Sequence, residues 1–377
     1  MNLDPKKTIA KYAQNTMLEG QLRREGDTVR VQNLPDVEWN KGGTAGADIT
    51  ASSFAITQES LTITDTFQIN EEIADIQEVQ YNRNLMSDIT SRIAEGQARL
   101  QDKYVASLVR DADSSNQFNE TTPLTVSVSN SLTTVEELRV ALEDQNVDVG
   151  AGDVGLFISP NFASLLRQGN WLANTEAGVD VNIKGYIGRC SGMNIYQSNL
   201  LPSVVNLTVD TNPTAGDTMT INGVVFTFVA NGAAAAAGDI SIGGSLAVTQ
   251  ASIVEAVNGT GTAGASNYRD VSAGDRQILN NLDVYVGAFA TNVAKITANS
   301  TLVVSETYTA VTNIFGTVGK LAFAIKKGAI NIAYQLNKMK VTEATQGFRS
   351  NILGEMVAGR KVFNTDAKKI ATTRIIS

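Results

Sequence analysis

Residues 71–113 read EEIADIQEVQYNRNLMSDITSRIAEGQARLQDKYVASLVRDAD, and the fold depends on how this stretch is read. Ile73, Ile76, Val79, Leu85, Met86, Ile89, Ile93, Leu100, Tyr104 and Leu108 return every three or four positions, the spacing of one face of an α-helix. No proline interrupts the run. Asp88/Arg92 and Glu95/Arg99 stand four apart with the acid first, the order that supports an exposed helical face. The spacing predicts one continuous helix, which at about 1.5 Å per residue makes a rod on the order of 60 Å. Gly96 is its weak point, because glycine inside a helix costs about 1 kcal/mol. Glu71, Glu72, Asp75 and Glu78 would then crowd the first turns, where the helix dipole favours negative charge.

Upstream, residues 1–26 carry Lys6, Lys7, Lys11, Arg23 and Arg24 with few large apolar groups, and read as a loosely held arm that gains a short helix on meeting a neighbour. From Asp27, DTVRVQNL alternates polar and apolar residues and is answered by LTITDTFQI at 61–69, so the two form the arms of a long hairpin. The stretch between them holds Gly42, Gly43 and Gly46 and almost nothing that could build a core. A two-stranded excursion of this kind is not stable alone in water. It must lie on something, and if its own domain is occupied elsewhere that something is another subunit.

Downstream of a polar loop at 114–130, LTTVEELRVALEDQNV reads as a helix capped by Thr133 or Thr134, with Val135, Leu138, Ala141 and Leu142 as its stripe. DVGLFISPNFASLLRQG gives a buried strand at 154–158, a Ser159-Pro160 break and a short helix ending at Gly169. One more strand, 193–197, precedes Pro202. The composition then changes: 204–312 has about half the charge density of the rest and is rich in Ala, Gly, Thr, Asn and Val. It contains TMTI-NG-VVFTFV, a hairpin whose Asn222-Gly223 supplies positive φ angles, and a short helix at 251–257. We read 204–312 as an inserted, mostly β small domain. After it, KLAFAIKKGAINIAYQL reads as a hairpin turning at Lys326-Lys327-Gly328, and two or three further strands follow, the last IATTRII.

Composition excludes more than it assigns. The 377 residues are 43% hydrophobic and 18% charged, which describes a globular chain with room for a sizeable core. There is one cysteine, Cys190, and no histidine, so the usual zinc sites, thiol nucleophiles and acid–base pairs lose their residues. A net charge of −8 argues against a surface built to grip phosphates. The N-terminus lacks a signal-peptide core, and the longest uncharged run, 218–238, is broken by Thr, Asn and glycine turns, which speaks against a spanning helix. Gly259-Thr-Gly261-Thr-Ala-Gly264 matches G-x-G-x-x-G but follows a helix where the dinucleotide motif needs a strand. Asp111, Asp113 and Asn116 lack the glycine and the closing glutamate of a calcium loop. No catalytic, cofactor-binding or metal-binding residue is assigned, and no enzyme activity is expected.

The order of elements is distinctive: a short arm, a glycine-tipped hairpin, a long helix, a strand-and-helix layer around FISPNF, then strands to the C-terminus. It resembles the major capsid proteins of tailed bacteriophages, the α+β fold named for phage HK97. The resemblance covers about 27–203 and 313–377. It implies an N-terminal arm at 1–26, an extended loop at 27–70, a spine helix with peripheral and axial parts at 71–203, an insertion at 204–312 and a closing axial and peripheral part at 313–377. It further implies a structural protein of the virion capsid, assembled in the host cytoplasm, that builds hexamers and pentamers of an icosahedral head enclosing double-stranded DNA without sequence-specific binding. Arg30, Trp39 and Lys41 of the loop would lie across a neighbour's spine helix, where Arg83, Arg92 and Arg99 offer partners. Lys41 as an isopeptide cross-link is a weaker implication than a solvated loop lysine. A separate scaffolding protein, a portal and decoration proteins are possible further partners, and no membrane is implied. The alternatives are an encapsulin-like nanocompartment shell holding an enzyme cargo and, from other classes, a hydrolase or a monomeric binding protein.

Overall fold

The computed structural model describes residues 9–17, 28–33, 57–74, 85–169, 186–343 and 349–376. They fall into two compact units. One comprises Met1–Ala13, Ala94–Lys327 and Lys368–Ser377, the other Gln14–Ile93 and Gly328–Ala367.

The deciding stretch is divided between two kinds of structure. Asp65–Ala74 is a strand, in which Glu71 and Glu72 pair with Ile352 and Asn351, and the helix is the 22-residue Leu85–Ala106. The rod predicted from residue 71 is therefore corrected at its start, where 71–74 are strand; the described helix of 22 residues is on the order of 33 Å long, and 75–84 lie outside the described residues. The ambiguity lay at Ile73, which fits a helical step to Ile76 and equally the period-two series Phe67, Ile69, Ile73. Ten ladder pairs with Arg349–Lys361 settle it as strand. Ile76, Val79 and Arg83 lie outside the described residues. The helix runs through Gly96, and at its C-terminal end Asp102, Tyr104, Val105 and Ala106 are buried before a 3-10 turn over Ser107–Asp111.

In the first unit an 11-stranded mixed sheet forms around Gly319–Lys326, whose residues 321–325 are all buried. That strand pairs antiparallel with Val154–Ile158, Ser203–Thr208 and Ile370–Ile376. Val154–Ile158 is buried throughout, as its continuous apolar run requires, and pairs parallel with Met193–Gln197. Ser159 caps the helix Pro160–Gln168 by accepting the Phe162 amide at 3.2 Å, with Pro160 at the first helical position. The helix Ser131–Asp144 buries Val135, Leu138, Ala141 and Leu142 as expected. It starts two residues earlier than the predicted threonine cap: Asn130 is the N-cap, and its side chain is taken up by the Ser127 amide.

Residues 9–17 are not loosely held. Ile9–Ala13 is a short helix with Ile9, Ala10 and Ala13 buried, and the Ala10 amide donates to the buried Asp102 carboxylate at 2.8 Å. Tyr12 meets Phe157 edge-on at 5.9 Å and Tyr196 at 5.3 Å, over the bare backbone of Gly155, where a Cβ would come within 2.7 Å of the Tyr12 ring. Five residues of modest hydrophobicity are thus fixed by aromatic contact and one buried hydrogen bond, signals that composition does not carry.

Residues 204–312 enclose a core of their own that includes Met219, Ile221, Phe226, Phe228, Ile240, Ile253 and Ile296. The hairpin Thr218–Ile221/Val224–Val229 turns at Asn222 and Gly223, both at positive φ, as the sequence requires. The helix Leu246–Asn258 extends beyond the predicted 251–257 and ends on Gly259 in the left-handed conformation, which gives that glycine a structural task. Ser203–Thr208 and Val293–Ala298 pair with each other, and the former also pairs with Gly319–Lys326, so the segment's first and later strands continue the central sheet. Asp217 ties its ends together, accepting from the Thr214 amide at 2.8 Å and the Thr309 hydroxyl at 2.7 Å.

In the second unit Ile330–Glu343 and Arg349–Lys361 make a long antiparallel ribbon, extended by Asp65–Ala74 on one side and Gln14–Asn15 on the other. Leu321–Ile325 and Ile330–Leu336 do not form the predicted hairpin. Both strands form, but 321–325 and 330–333 are buried on both faces instead of alternating, and the Lys326-Lys327-Gly328 turn carries the chain out of one sheet and into another. The hairpin arms are Thr28–Asn33 and Thr57–Thr62, with Val29 opposite Leu61, whereas 65–69 belongs to the ribbon. Val29, Leu61 and Ile63 pack with Ala333, Val357 and Phe363 of the same chain. The base of the flap is therefore sheltered by its own unit, contrary to the expectation of a neighbouring copy, and the glycine-rich tip lies outside the described residues.

Two predictions follow from these contacts. A Cβ at Gly359 would sit 2.5 Å from the Thr62 carbonyl oxygen, which backbone cannot easily yield. Gly359→Ala should cost about 1–3 kcal/mol in urea-unfolding experiments and loosen hydrogen-exchange protection at 57–62 first. Burial raises the Asp217 carboxyl, but hydrogen bonds from Thr309 and Thr214 outweigh it and hold it below its ordinary 3.8. Its contribution is present above pH 3.8 and is lost as pH falls through the lower folded value. Asp217→Asn should lower the melting temperature at neutral pH and remove that portion of the acid sensitivity.

Candidate assembly surfaces

Of the six residues predicted to meet neighbouring copies, three can be placed. Arg30 stands on Thr28–Asn33 opposite Ser60 with its side chain exposed, and Arg92 is exposed on the helix Leu85–Ala106. Arg99, 48% exposed, reaches its own Glu95 at 3.8 Å, an i,i+4 pair worth about 0.3–0.5 kcal/mol that leaves the guanidinium in water. Trp39, Lys41 and Arg83 lie outside the described residues, so nothing brings loop and helix cations together here.

The structure adds surfaces that sequence reasoning did not single out. The sheet of residues 204–312 buries Met219, Ile221, Phe226 and Phe228 on one face. Its other face presents Thr220 beside Val225 and Ser305, with Val225 and Val303 50% and 63% exposed. Period-two alternation marked the strands, but polarity did not mark the outer face, because Thr and Val fill it in place of charges.

A second surface is a cleft of about 440 Å³ between the helix Ser131–Asp144 and the loop that precedes it. Phe118, Val140 and Ala141 form its apolar floor, and Glu136, Glu137 and Asp144 its rim. Arg139 neutralises part of this charge, reaching Glu136 at 3.1 Å and Glu143 at 3.0 Å. Among the described residues Glu137 and Asp144 have no ion-pair partner.

One polar knot, with Arg374 buried and the Lys295–Glu120 ion pair 27% and 30% exposed, ties separate segments of the first unit together. Arg374, 1% exposed in the middle of IATTRII, donates to the Glu120 carbonyl at 3.0 Å and to the Thr317 carbonyl. Burial lowers its affinity for the proton, and the Glu120 carboxylate opposes that effect. Lys295 pairs with Glu120 and donates to Gln117 at 2.6 Å, while the Asn206 amide donates to the Glu120 carbonyl at 2.7 Å. The loop at 117–121, the first strands of the 204–312 segment and the final strand are thereby fastened at one point. Nothing in this arrangement resembles a reaction centre: the charges face backbone carbonyls and each other.

Residues 58–239 match the family described as phage capsid protein. This chain carries that likeness over just under half of its length. Its fold, of the mixed α/β HK97-like type, is shared with solved capsids at very low identity. The capsid structure of the cyanophage P-SCSP1u is 13% identical with a TM-score of 0.54, over 100% of this chain and 90% of that one. A chain of Mycobacterium phage Che8 is 15% identical with a TM-score of 0.52, over 96% and 88%. The capsid of Ralstonia phage GP4 is 10% identical with a TM-score of 0.51, over 100% and 92%. No curated protein matches the sequence.

Arg374→Ala would leave the Thr317 carbonyl without that donor, take one of two donors from the Glu120 carbonyl, which keeps Asn206, and open a cavity where a buried side chain stood. A loss of about 3 kcal/mol is expected, read as an earlier urea midpoint.

Proposed function

We propose that this chain is the major shell protein of a tailed-phage head, closing as hexamers and pentamers of an icosahedral lattice around packaged double-stranded DNA. The observation that carries this reading is the capsid family match at 58–239 together with a capsid fold that extends over the whole chain. The mechanism is distributed adhesion. Exposed pairs contribute about 0–1 kcal/mol each, but closed symmetry repeats every contact in every copy. In this reading Arg30, Trp39 and Lys41 of the extended loop meet a neighbour's helix near Arg83, Arg92 and Arg99. The residues 204–312 serve as an inserted domain of the axial part, and 1–26 as an arm whose described portion is anchored at home. The net charge of −8 suits a wall that confines DNA without binding it tightly. Scaffolding, portal and decoration proteins are the partners such a shell would recruit, and the virion is where it resides. An encapsulin-like cargo shell is the second reading of the same fold, and no cargo groove in the described residues favours it.

Electron microscopy of the purified, concentrated chain should show closed shells, and uniform subunit-sized particles would overturn the reading. Removing residues 36–60 should leave a folded, soluble subunit that no longer closes shells. Normal particles from that deletion would refute the lattice role of the loop.

A further inference from the structure

A lysine corner lies beside the acidic cleft. Lys326 and Lys327 end the central strand Gly319–Lys326, and Lys368 and Lys369 precede Ile370–Ile376, its antiparallel partner. The Lys326 amide donates to the Lys369 carbonyl at 3.0 Å, which holds the four together, and Lys327 and Lys368 are exposed. Asn116, in the wall of the cleft, donates through its side chain to the Lys368 carbonyl at 3.1 Å and the Ile370 carbonyl at 3.2 Å. The corner and the cleft are therefore joined at Asn116 and belong to the same unit. Among the described residues no carboxylate lies within ion-pair distance of Lys327 or Lys368, although, after the Ser115 hydrogen bonds, Lys368 is near enough to Asp113 to help lower its carboxyl's pKa, and Glu137 and Asp144 have no ion-pair partner either.

We infer that this bipolar patch is a two-fold docking surface for a second copy of the chain, with the Lys327/Lys368 corner of each copy seated on the Glu137/Asp144 cleft of the other. Charge complementarity names the occupant. In a protein of net charge −8 that works in many copies, the counterpart of an acidic cleft is a local cluster of four lysines, and the chain carries both. Adjacency names the symmetry. A head-to-tail contact needs complementary patches on opposite sides of a subunit, whereas opposite patches lying side by side match themselves when one copy is turned by half a revolution. The apolar floor of Phe118 and Val140, with Val140 48% exposed, adds a dry centre for the aliphatic stems of the incoming lysines. The acidic rim sets the register, and salt should weaken the contact because the charges are exposed.

This inference rests on the chain forming shells, and the test separates the two. If the unaltered chain forms no particles, the shell reading itself fails. Given shells, a groove-reversed variant (Glu137→Lys with Asp144→Lys) and a corner-reversed variant (Lys327→Glu with Lys368→Glu) should each give about tenfold fewer particles or less on gradients. Mixing the two should restore the yield, because each then meets an opposite. Ser115 is exposed at the cleft wall between the two patches, so Ser115→Cys shells should oxidise to covalent dimers joined cysteine to the same cysteine, since native Cys190 is buried. Such self-pairing requires a two-fold axis nearby and is read on a non-reducing gel even if a reversed variant fails to fold. Undiminished yield from both reversed variants, failure of two folded variants to rescue each other, or the absence of the Ser115→Cys dimer overturns the proposal. The last outcome leaves the cleft to a different partner, such as a scaffolding or decoration protein.

Discussion

The strand Gly319–Lys326 is the constraint on which the first unit depends. It has no polar face, so it must be covered on both sides, and its backbone must be paired along both edges. Three segments that are far apart in sequence meet those demands: Val154–Ile158 and Ser203–Thr208 along one stretch or another of the strand, and Ile370–Ile376 along most of its length. Gly319 marks how close the approach is, because a Cβ there would meet Arg374, the Ile375 carbonyl and Pro123 within 3.1 Å. The polar knot sits where these segments converge. An arginine with carbonyl partners tolerates burial there because its alternatives, bare carbonyls inside a core, are worse.

The second unit solves a different problem. Its ribbon of 14- and 13-residue strands is long for strands, and one face cannot be closed by a single layer along its whole length. Around Ala333 and Val357, Leu61, Ile63 and Phe363 supply that layer. Farther along, Val341 and Leu353 are 51% and 38% exposed. Under the proposed shell function such partial coverage would be met by neighbouring copies; in a protein that stays alone it would be an aggregation hazard.

Much of the fold was legible in the sequence because its elements have strong local signatures. The five buried residues of VGLFI, the Ser-Pro helix start and the Asn-Gly turn each specify their structure through sterics or capping alone. The errors came where two periods overlap or where pairing is decided at a distance. Ile73 satisfied both helix and strand, and the ladder to Arg349–Lys361 decided it. The lysine turn after Ile325 was taken for a hairpin because local alternation says that two strands exist, and says nothing of which sheet each joins. Ile9–Ala13 went unread for a related reason, since its anchors, Asp102 and Gly155, lie some ninety to one hundred and forty residues away. The assembly surfaces were the least legible part. Single charges such as Arg99 drew attention, yet its nearest acid is one turn away, while the cleft and the lysine corner exist only after the chain has folded.

The chain passes between the two units four times, at Ala13, Ile93, Lys327 and Ala367, and the strand Ile370–Ile376, far downstream of its partners, lies against the middle of the central sheet. A nascent chain therefore cannot complete its core until translation has delivered residue 376. In this way one strand becomes the step on which closure of the first unit waits.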